Sequence, residues 1–264
     1  MPEGPEVKSL VKWLNRDLKN KKLLNILINS GRYKKHGPPK NFNKINFPLI
    51  IDNINCHGKF IYWEFKNSEI VLFLTLGMSG WFQYDKDKHN HLEFRFEKES
   101  IYFNDYRNFG TLIFCYQENL EKKLNQLGPD ILSLDNNVEL FLKRLTKKRN
   151  DTVIGSAIMD QKVSAGVGNY IRAESLYIAK LDPFKKIKDI PKEKLIELWD
   201  ILRQIGWYYY DENKGRKLNI INGKFKLSNL YKKSGPSKYK RDEGYFLVYR
   251  EKTDPFGNKV TTDT

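Results

Sequence analysis

Met1-Pro2-Glu3-Gly4-Pro5-Glu6-Val7 runs directly into an apolar series of helical period, Val7, Leu10, Val11, Leu14 and Leu18, with Lys8, Lys12 and Arg16 on the opposite side. Apolar residues three and four apart share one helix face, so the spacing predicts a helix with that face buried. The sequence shows no signal-like segment before it. Removal of Met1, which a small second residue permits, would leave Pro2 as a secondary amine beside the Glu3 carboxylate. An α-amino group titrates near pH ~8, so a neutral, nucleophilic fraction exists at physiological pH. An amine attacking a sugar aldehyde carbon forms a Schiff base, and Glu3 and Glu6 are the proton donor and acceptor that such chemistry needs. Taken alone, the stretch reads first as an ordinary helix start, where Pro and Glu are common.

The 264 residues suffice for two modest domains, and 40% hydrophobic with 14% aromatic content supplies real cores. Lys and Arg outnumber Asp and Glu by 47 to 32, a net charge of +15, which is the footprint of a nucleic-acid binder. AT-rich coding would also enrich Lys, Asn and Ile, so part of the excess reads equally as solvated surface. Cys56 and Cys115 lie far apart and form no CxxC pair, and His36, His57, His89 and His91 supply no ligand spacing with them. No metal and no cofactor are expected. His89 and His91 read as loop and strand surface, the two cysteines as inert core. No apolar run reaches membrane-spanning length, so the expectation is a soluble intracellular protein of nucleus or cytoplasm, with a viral source open.

After the first helix the period changes to two. Short β-rich runs cover Leu49 to Ile54, Phe60 to Phe65, Ile70 to Leu76, Leu92 to Phe96, Ile101 to Phe103 and Thr111 to Tyr116. They predict a sandwich or barrel with the first helix packed against it and Pro2 at its edge. His57-Gly58-Lys59 reads as a hairpin turn with Lys59 at its tip, Leu76-Gly77-Met78-Ser79-Gly80 as a Gly-flanked loop carrying Met78, and Asp105-Tyr106-Arg107-Asn108-Phe109-Gly110 as a loop carrying Arg107 and Phe109. Singly, each side chain reads better as solvated or packed on a neighbour. Together they make one device: an enzyme that takes a base out of the stack needs wedges for the vacated space, shapes that Met78 and Phe109 have, and a donor for the orphaned partner base, which Arg107 is.

Beyond Leu127-Gly128-Pro129-Asp130 the pattern turns helical: Val138 to Leu145, trailing into a basic stretch at Lys147-Lys148-Arg149-Asn150; Ile154 to Met159; a two-glycine turn, Lys162 to Gly168; Tyr170 to Ala179; and Pro191 to Tyr210. The turn delivers Gly168 and Asn169 to a helix start, where amides and dipole favour a phosphate. Asn222 to Asp242 reads as a basic loop, Gly244 to Arg250 as a strand, and Asp254 to Lys259 as a turn into a second strand that stops at Thr264, a hairpin cut short. The organisation expected is 1–135 β-sandwich, 136–150 linker and first helix, 151–243 helical domain and 244–264 hairpin.

These segments, in this order, resemble the Fpg/Nei (MutM/Nei) family of bifunctional DNA glycosylases over nearly the whole chain. Met-Pro-Glu-Gly-Pro-Glu-Val is similar to the family's N-terminal signature, Gly4 being nearer the Nei-like branch. Met159-Asp160-Gln161 through Gly166-Val167-Gly168-Asn169-Tyr170 resembles its helix-two-turn-helix element, and Gly244-Tyr245-Phe246 with Val248-Tyr249 the approach to its finger. The resemblance implies an α+β fold: an N-terminal helix with a two-layered antiparallel β-sandwich, then a helix-two-turn-helix domain and a β-hairpin finger. It implies excision of oxidised bases, pyrimidines first, and strand cleavage by β,δ-elimination through a Schiff base. By position, Pro2 would be the nucleophile, Glu3 the general acid/base, Glu6 a supporting carboxylate and Lys59 a phosphate grip that assists catalysis. Met78, Arg107 and Phe109 would fill the void, and Gly168 and Asn169 would hold a second phosphate. The partner would be double-stranded DNA, with single-stranded DNA as a second form, carrying oxidised bases or abasic sites; the protein would act as a monomer, away from membranes.

The family's finger usually holds zinc on four cysteines, and no Cys follows Cys115, so the resemblance implies a zinc-free finger like that of a Nei-like subgroup in vertebrates and some giant viruses. That subgroup keeps an arginine on the far strand, and none follows Arg250 here, which implies a truncated chain or a missing DNA contact. Two other readings stand beside the enzyme: a non-catalytic DNA-binding protein on the same scaffold, and an unrelated basic β-sandwich. Pro2 and Glu3 together separate the first from an enzyme, since a binder needs neither.

Overall fold

The computed structural model describes residues 1–149, 151–210, 219–221, 224–226 and 246–261. The chain divides into two compact units, Met1–Gln126 and Leu127–Thr264. The division falls earlier than the 135/136 boundary expected from sequence, because Ile131 and Leu132 are buried in the second unit's core.

In the first unit, α1 (Gly4–Leu18) carries Pro5 in its first turn, where its missing N–H costs nothing and its fixed φ suits the helix. Val7, Leu10, Val11, Leu14 and Leu18 are all buried, as their period predicts. Asn15 fastens the helix to the sheet: its side-chain oxygen accepts the Ile54 N–H at 2.9 Å and its amide donates to the Ile54 carbonyl. Strands β1 (Lys22–Leu23), β2 (Asn25–Ile28), β3 (Leu49–His57), β4 (Phe60–Phe65), β5 (Ile70–Thr75), β6 (Trp81–Gln83), β7 (Asn90–Arg95), β8 (Ser100–Asn104) and β9 (Thr111–Tyr116) form two antiparallel sheets. Their orders are β1-β3-β4-β5-β9 and β2-β7-β8-β6.

The alternation along β4 sends Ile61, Trp63 and Phe65 into the core. Trp63 meets Phe82 and Phe94 of the other sheet at ring-centroid distances of 5.7 and 5.3 Å. Each such ring contributes roughly 1.5–3 kcal/mol by leaving water, so these inward rows hold the two layers together. The two-layered sandwich expected from the period-two runs is therefore present.

Two short helices were not legible in the sequence. α2 (Gly31–His36) spans only six residues and buries none of them, and α3 (Gln117–Gln126) buries only Leu120, so neither carries an apolar stripe.

The second unit is helical: α4 (Val138–Thr146), α5 (Ile154–Ala157), α6 (Asn169–Ile178) and α7 (Lys192–Tyr210) match the expected spans to within a few residues. Phe141 of α4 stacks on Trp199 of α7 at 4.9 Å, and Leu195, Leu198, Leu202 and Ile205 complete the buried face of α7.

The expected strand over Gly244 to Arg250 is corrected by the structure. Residues 246–250 form bends and a turn, and Arg250 has a φ of 64°. The backbone N–H groups of Leu247, Val248 and Tyr249 donate to the Glu174 carboxylate of α6 at 2.8, 3.0 and 3.0 Å. A side chain far away in sequence thus takes donors that the local pattern would assign to a sheet. The turn expected at Asp254 to Lys259 is present: the Asp254 Oδ1 accepts the N–H groups of Phe256 and Asn258 at 2.9 and 2.8 Å, and Thr253 bridges antiparallel to Lys259.

Of the basic loop expected over Asn222 to Asp242, only 224–226 are described, as β11 (Lys224–Lys226) paired antiparallel with β10 (Asn219–Ile221). The remainder, with Gly244, Tyr245 and Thr264, lies outside the described residues.

Candidate active site and nucleic-acid interface

The start of α1 is held by a reciprocal cap. Glu6 Oε2 accepts the backbone N–H of Glu3 at 2.8 Å, while the Glu3 carboxylate accepts the backbone N–H of Glu6. The Glu3 and Glu6 amides are thereby satisfied, and both carboxylates are fixed in position. Glu3 is 2% exposed and Glu6 7%, whereas Pro2 immediately before them remains half-buried. Two nearly solvent-free carboxylates beside an open position is the arrangement that proton transfer at a reacting amine needs.

Lys59 completes the group. It follows Gly58, whose φ of 57° makes the tight turn between β3 and β4. The hairpin tip is not the solvated position common for such lysines. Burial pushes the Lys59 ammonium below its usual range, and the charges of Glu3 and Glu6 oppose that drop without cancelling it. The sandwich thus brings Lys59 into electrostatic reach of Glu3 and Glu6, which lie more than fifty residues earlier in the sequence.

A second group of predicted residues sits on two loops that are fastened to each other. Met78, between β5 and β6, is 40% exposed, and Phe109, between β8 and β9, is 52% exposed. Arg107 is exposed, its guanidinium 5.4 Å from the Phe109 ring centroid. Between the loops lies the buried carboxylate of Asp105, which accepts the Ser79 hydroxyl with one oxygen and the Gly110 N–H with the other at 2.7 Å. Ser79 Oγ in turn accepts the Arg107 N–H at 3.0 Å. Gly77 fits because it has no side chain: its φ is 58°, and a Cβ there would stand 2.7 Å from the Phe109 carbonyl carbon. The exposed apolar tips are therefore presented by a rigid double loop.

Sequence reading missed Asp105, Ser79 and His91 as parts of this support. His91 is buried rather than at the strand surface, because its ring nitrogens meet the Asp105 carbonyl at 2.9 Å and the Ser30 hydroxyl at 2.8 Å. No local pattern announces such partners; the Asp that opens the Arg107 loop was the nearest signal.

In the second unit the turn before α6 is built around Gln161. Its side-chain amide donates to the carbonyls of Met159 and Val167 at 3.0 and 2.9 Å, and its oxygen accepts the Gly166 N–H at 2.9 Å. Gly166 takes a φ of 101°. Gly128 packs against this turn so closely that a Cβ would stand 2.4 Å from the Val163 carbonyl. The result places Gly168 at the N-cap and half-buried Asn169 at the first position of α6, where the positive end of the helix dipole favours an anion.

Among the described residues no three His, Cys, Asp or Glu side chains gather as a metal site would require. No described helix is long and apolar enough to cross a membrane.

A capped helix bearing two buried carboxylates on an antiparallel sandwich, followed by a helix-two-turn-helix unit, defines a two-domain protein of DNA-glycosylase architecture. Two family models match in succession, the formamidopyrimidine-DNA glycosylase N-terminal domain over residues 1–112 and the formamidopyrimidine-DNA glycosylase H2TH domain over residues 127–205. The chain belongs to the formamidopyrimidine-DNA glycosylase family. It is 33% identical over 196 residues to the formamidopyrimidine-DNA glycosylase of the Wolbachia of Brugia malayi, a match covering 72% of this chain and 71% of that one. It is likewise 33% identical over 208 residues to that of Oceanobacillus iheyensis, covering 75% and 72%. Its fold is similar to the crystal structure of MutM (Fpg) from Thermus thermophilus, with a TM-score of 0.70 at 24% identity over 83% of this chain and 79% of that one. A complex of Lactococcus lactis Fpg with abasic-site DNA gives a TM-score of 0.70 at 23% identity, covering 81% of each chain.

Proposed function

We propose that this protein is a bifunctional glycosylase and abasic-site lyase that excises oxidised bases from DNA through its N-terminal proline. The neutral amine of Pro2, once Met1 is removed, attacks C1′ of a nucleotide turned out of the duplex. The N-glycosidic bond breaks and the base leaves, the sugar ring opens, and an iminium links Pro2 to C1′. Glu3 supplies and recovers the proton for base departure and ring opening, and Glu6 fixes Glu3 through its backbone amide. The iminium acidifies the neighbouring sugar carbon, so loss of a proton there expels the 3′-phosphate, and a second elimination expels the 5′-phosphate.

The observation that carries this reading is the buried Lys59 within electrostatic reach of Glu3 and Glu6, the two carboxylates that cap the helix beginning just after Pro2. A lysine whose ammonium is destabilised by burial holds a neutral fraction at lower pH than a free lysine, which suits proton transfer, while its protonated form grips a phosphate. Met78 and Phe109 fill the space left by the everted base, Arg107 donates to its former partner, and Gly168 and Asn169 hold a phosphate. Oxidised pyrimidines are the substrate class proposed.

The test is borohydride trapping. The demethionylated protein with abasic-site or oxidised-pyrimidine duplex gives a covalent adduct on reduction, and Pro2→Gly loses it. An adduct of equal yield from Pro2→Gly overturns the mechanism.

A further inference from the structure

Between Asp17 and Asp52 the chain carries eight basic side chains, Lys19, Lys21, Lys22, Arg32, Lys34, Lys35, Lys40 and Lys44, and no acidic one. Four of them, Arg32, Lys34, Lys35 and Lys40, are exposed on and just beyond α2. Among the described residues no carboxylate forms an ion pair with any of these four. Lysine-rich stretches are commonly no more than solvated surface, and a solvated stretch has no need of a fixed position.

This one is fixed, and to the loop that bears Arg107 and Phe109. The Arg32 N–H donates to Asn108 Oδ1 at 3.1 Å, and Arg32 Nη1 donates to the Gly110 carbonyl at 3.3 Å. The Tyr33 hydroxyl accepts the Leu112 N–H at 2.6 Å. Ser30 is bound to His91, whose other nitrogen meets the Asp105 carbonyl. Gly31, with a φ of 74°, lies so close that a Cβ would stand 2.6 Å from Asn108 Oδ1 and from the His91 ring. Residues 30 to 33 are thus each seated against this loop, its support or the start of β9 that follows it, and α2 is fastened to the 105–110 loop at its first turn. Arg32 spends one of its five guanidinium donors on Gly110 and keeps the rest for another acceptor.

We propose that α2 and the residues just after it form a further phosphate-binding surface, which takes the backbone of the strand opposite the lesion through Arg32, Lys34 and Lys35, with Lys40 extending the track. The strand assignment rests on the function proposed above: there Arg107 addresses the orphaned base, which belongs to the undamaged strand, and Arg32 is bonded to the same loop three residues further on. A cation at that place meets phosphates of that strand, not of the strand whose nucleotide enters the site.

The experiment compares wild type with Arg32→Ala/Lys34→Ala/Lys35→Ala by the salt dependence of binding to a duplex containing a tetrahydrofuran abasic analogue. The slope of log affinity against log salt becomes shallower by about 0.9 for each phosphate no longer neutralised. Lys34→Ala/Lys35→Ala, which leaves every bond of Arg32 in place, carries part of the same change, so a folding defect does not account for it. Neutral methylphosphonates in the strand opposite the analogue erase the difference between wild type and variant; the same substitutions in the analogue strand leave it intact. An unchanged slope in both variants overturns the proposal, as does erasure by methylphosphonates in the analogue strand alone. A wild type that yields no adduct overturns the catalytic reading instead, while the slopes on undamaged duplex still decide whether the surface binds phosphate.

Discussion

The Glu174 carboxylate, fully buried in α6, accepts the backbone N–H of Leu247 at 2.8 Å, seventy-three residues further along the chain. The same carboxylate takes the next two amides, and one helical turn later the Tyr177 hydroxyl donates to Asp254 Oδ2 at 2.9 Å. One helix thus starts at the proposed phosphate site and holds residues 247–254 from its other face.

Truncation of Glu174 leaves three backbone donors in a buried place without their acceptor. Glu174→Ala is expected to destabilise the second unit by about 1–3 kcal/mol, the cost of unsatisfied buried groups. Amide hydrogen exchange at 247–249 is expected to quicken more than at Leu198 or Leu202. Unchanged protection at 247–249 contradicts the docking role.

Asp105 joins the loops that carry Met78 and Phe109. Asp105→Ala is expected to raise hydrogen exchange across 77–80 and 107–110 together and to lower stability by about 1–3 kcal/mol. Asp105→Asn, which can still accept from one partner and donate to the other, falls between. Loosening confined to one loop would show that the two are held independently.

Gly77 meets the Phe109 backbone where no side chain fits. Gly77→Ala adds both that collision and a left-handed backbone conformation, each worth about 1–3 kcal/mol. The melting temperature is expected to fall, and affinity for abasic-analogue duplex to fall more than affinity for undamaged duplex. Equal losses on the two duplexes would separate Gly77 from lesion recognition.

Lys59 sets a pH dependence whose sign is fixed by its displacement. Its folded pKa lies below the unfolded value of 10.5, so between the two the unfolded chain binds more protons, and the unfolding free energy rises with pH across that window. Lys59→Met is expected to remove that rise and, at neutral pH, to stabilise the fold, while abolishing most strand cleavage. Chemical denaturation at a series of pH values ending near 10.5 checks the sign, and a steeper rise in the variant would contradict it.

Much of this protein is written locally. The helical period from Val7 to Leu18, the alternation in β4 from Ile61 to Phe65, and the stripe of α7 each follow from side-chain geometry repeating every few residues, and each was legible because burial acts on every repeat. Even the two exposed loops and the turn before α6 showed themselves through glycine, whose special conformations are a property of single residues. The expected strand over 244–250 shows where that reading stops: a continuous run of aromatic and apolar residues promised a ladder, but Glu174 accepts the amides of Leu247, Val248 and Tyr249.

The sequence by itself determined the fold class, the two cores and the candidate residues at the amino end and on the loops. Only the tertiary structure decided that Glu3 and Glu6 cap their own helix, that Lys59 is held beside them at depressed basicity, that Asp105 locks the two loops, and that the division between units falls at Gln126. The physical reason is common to all four. Periodic apolar burial is a sum over neighbours in sequence, whereas buried hydrogen bonds and charge pairs depend on which distant groups the closed fold brings within about 3 Å.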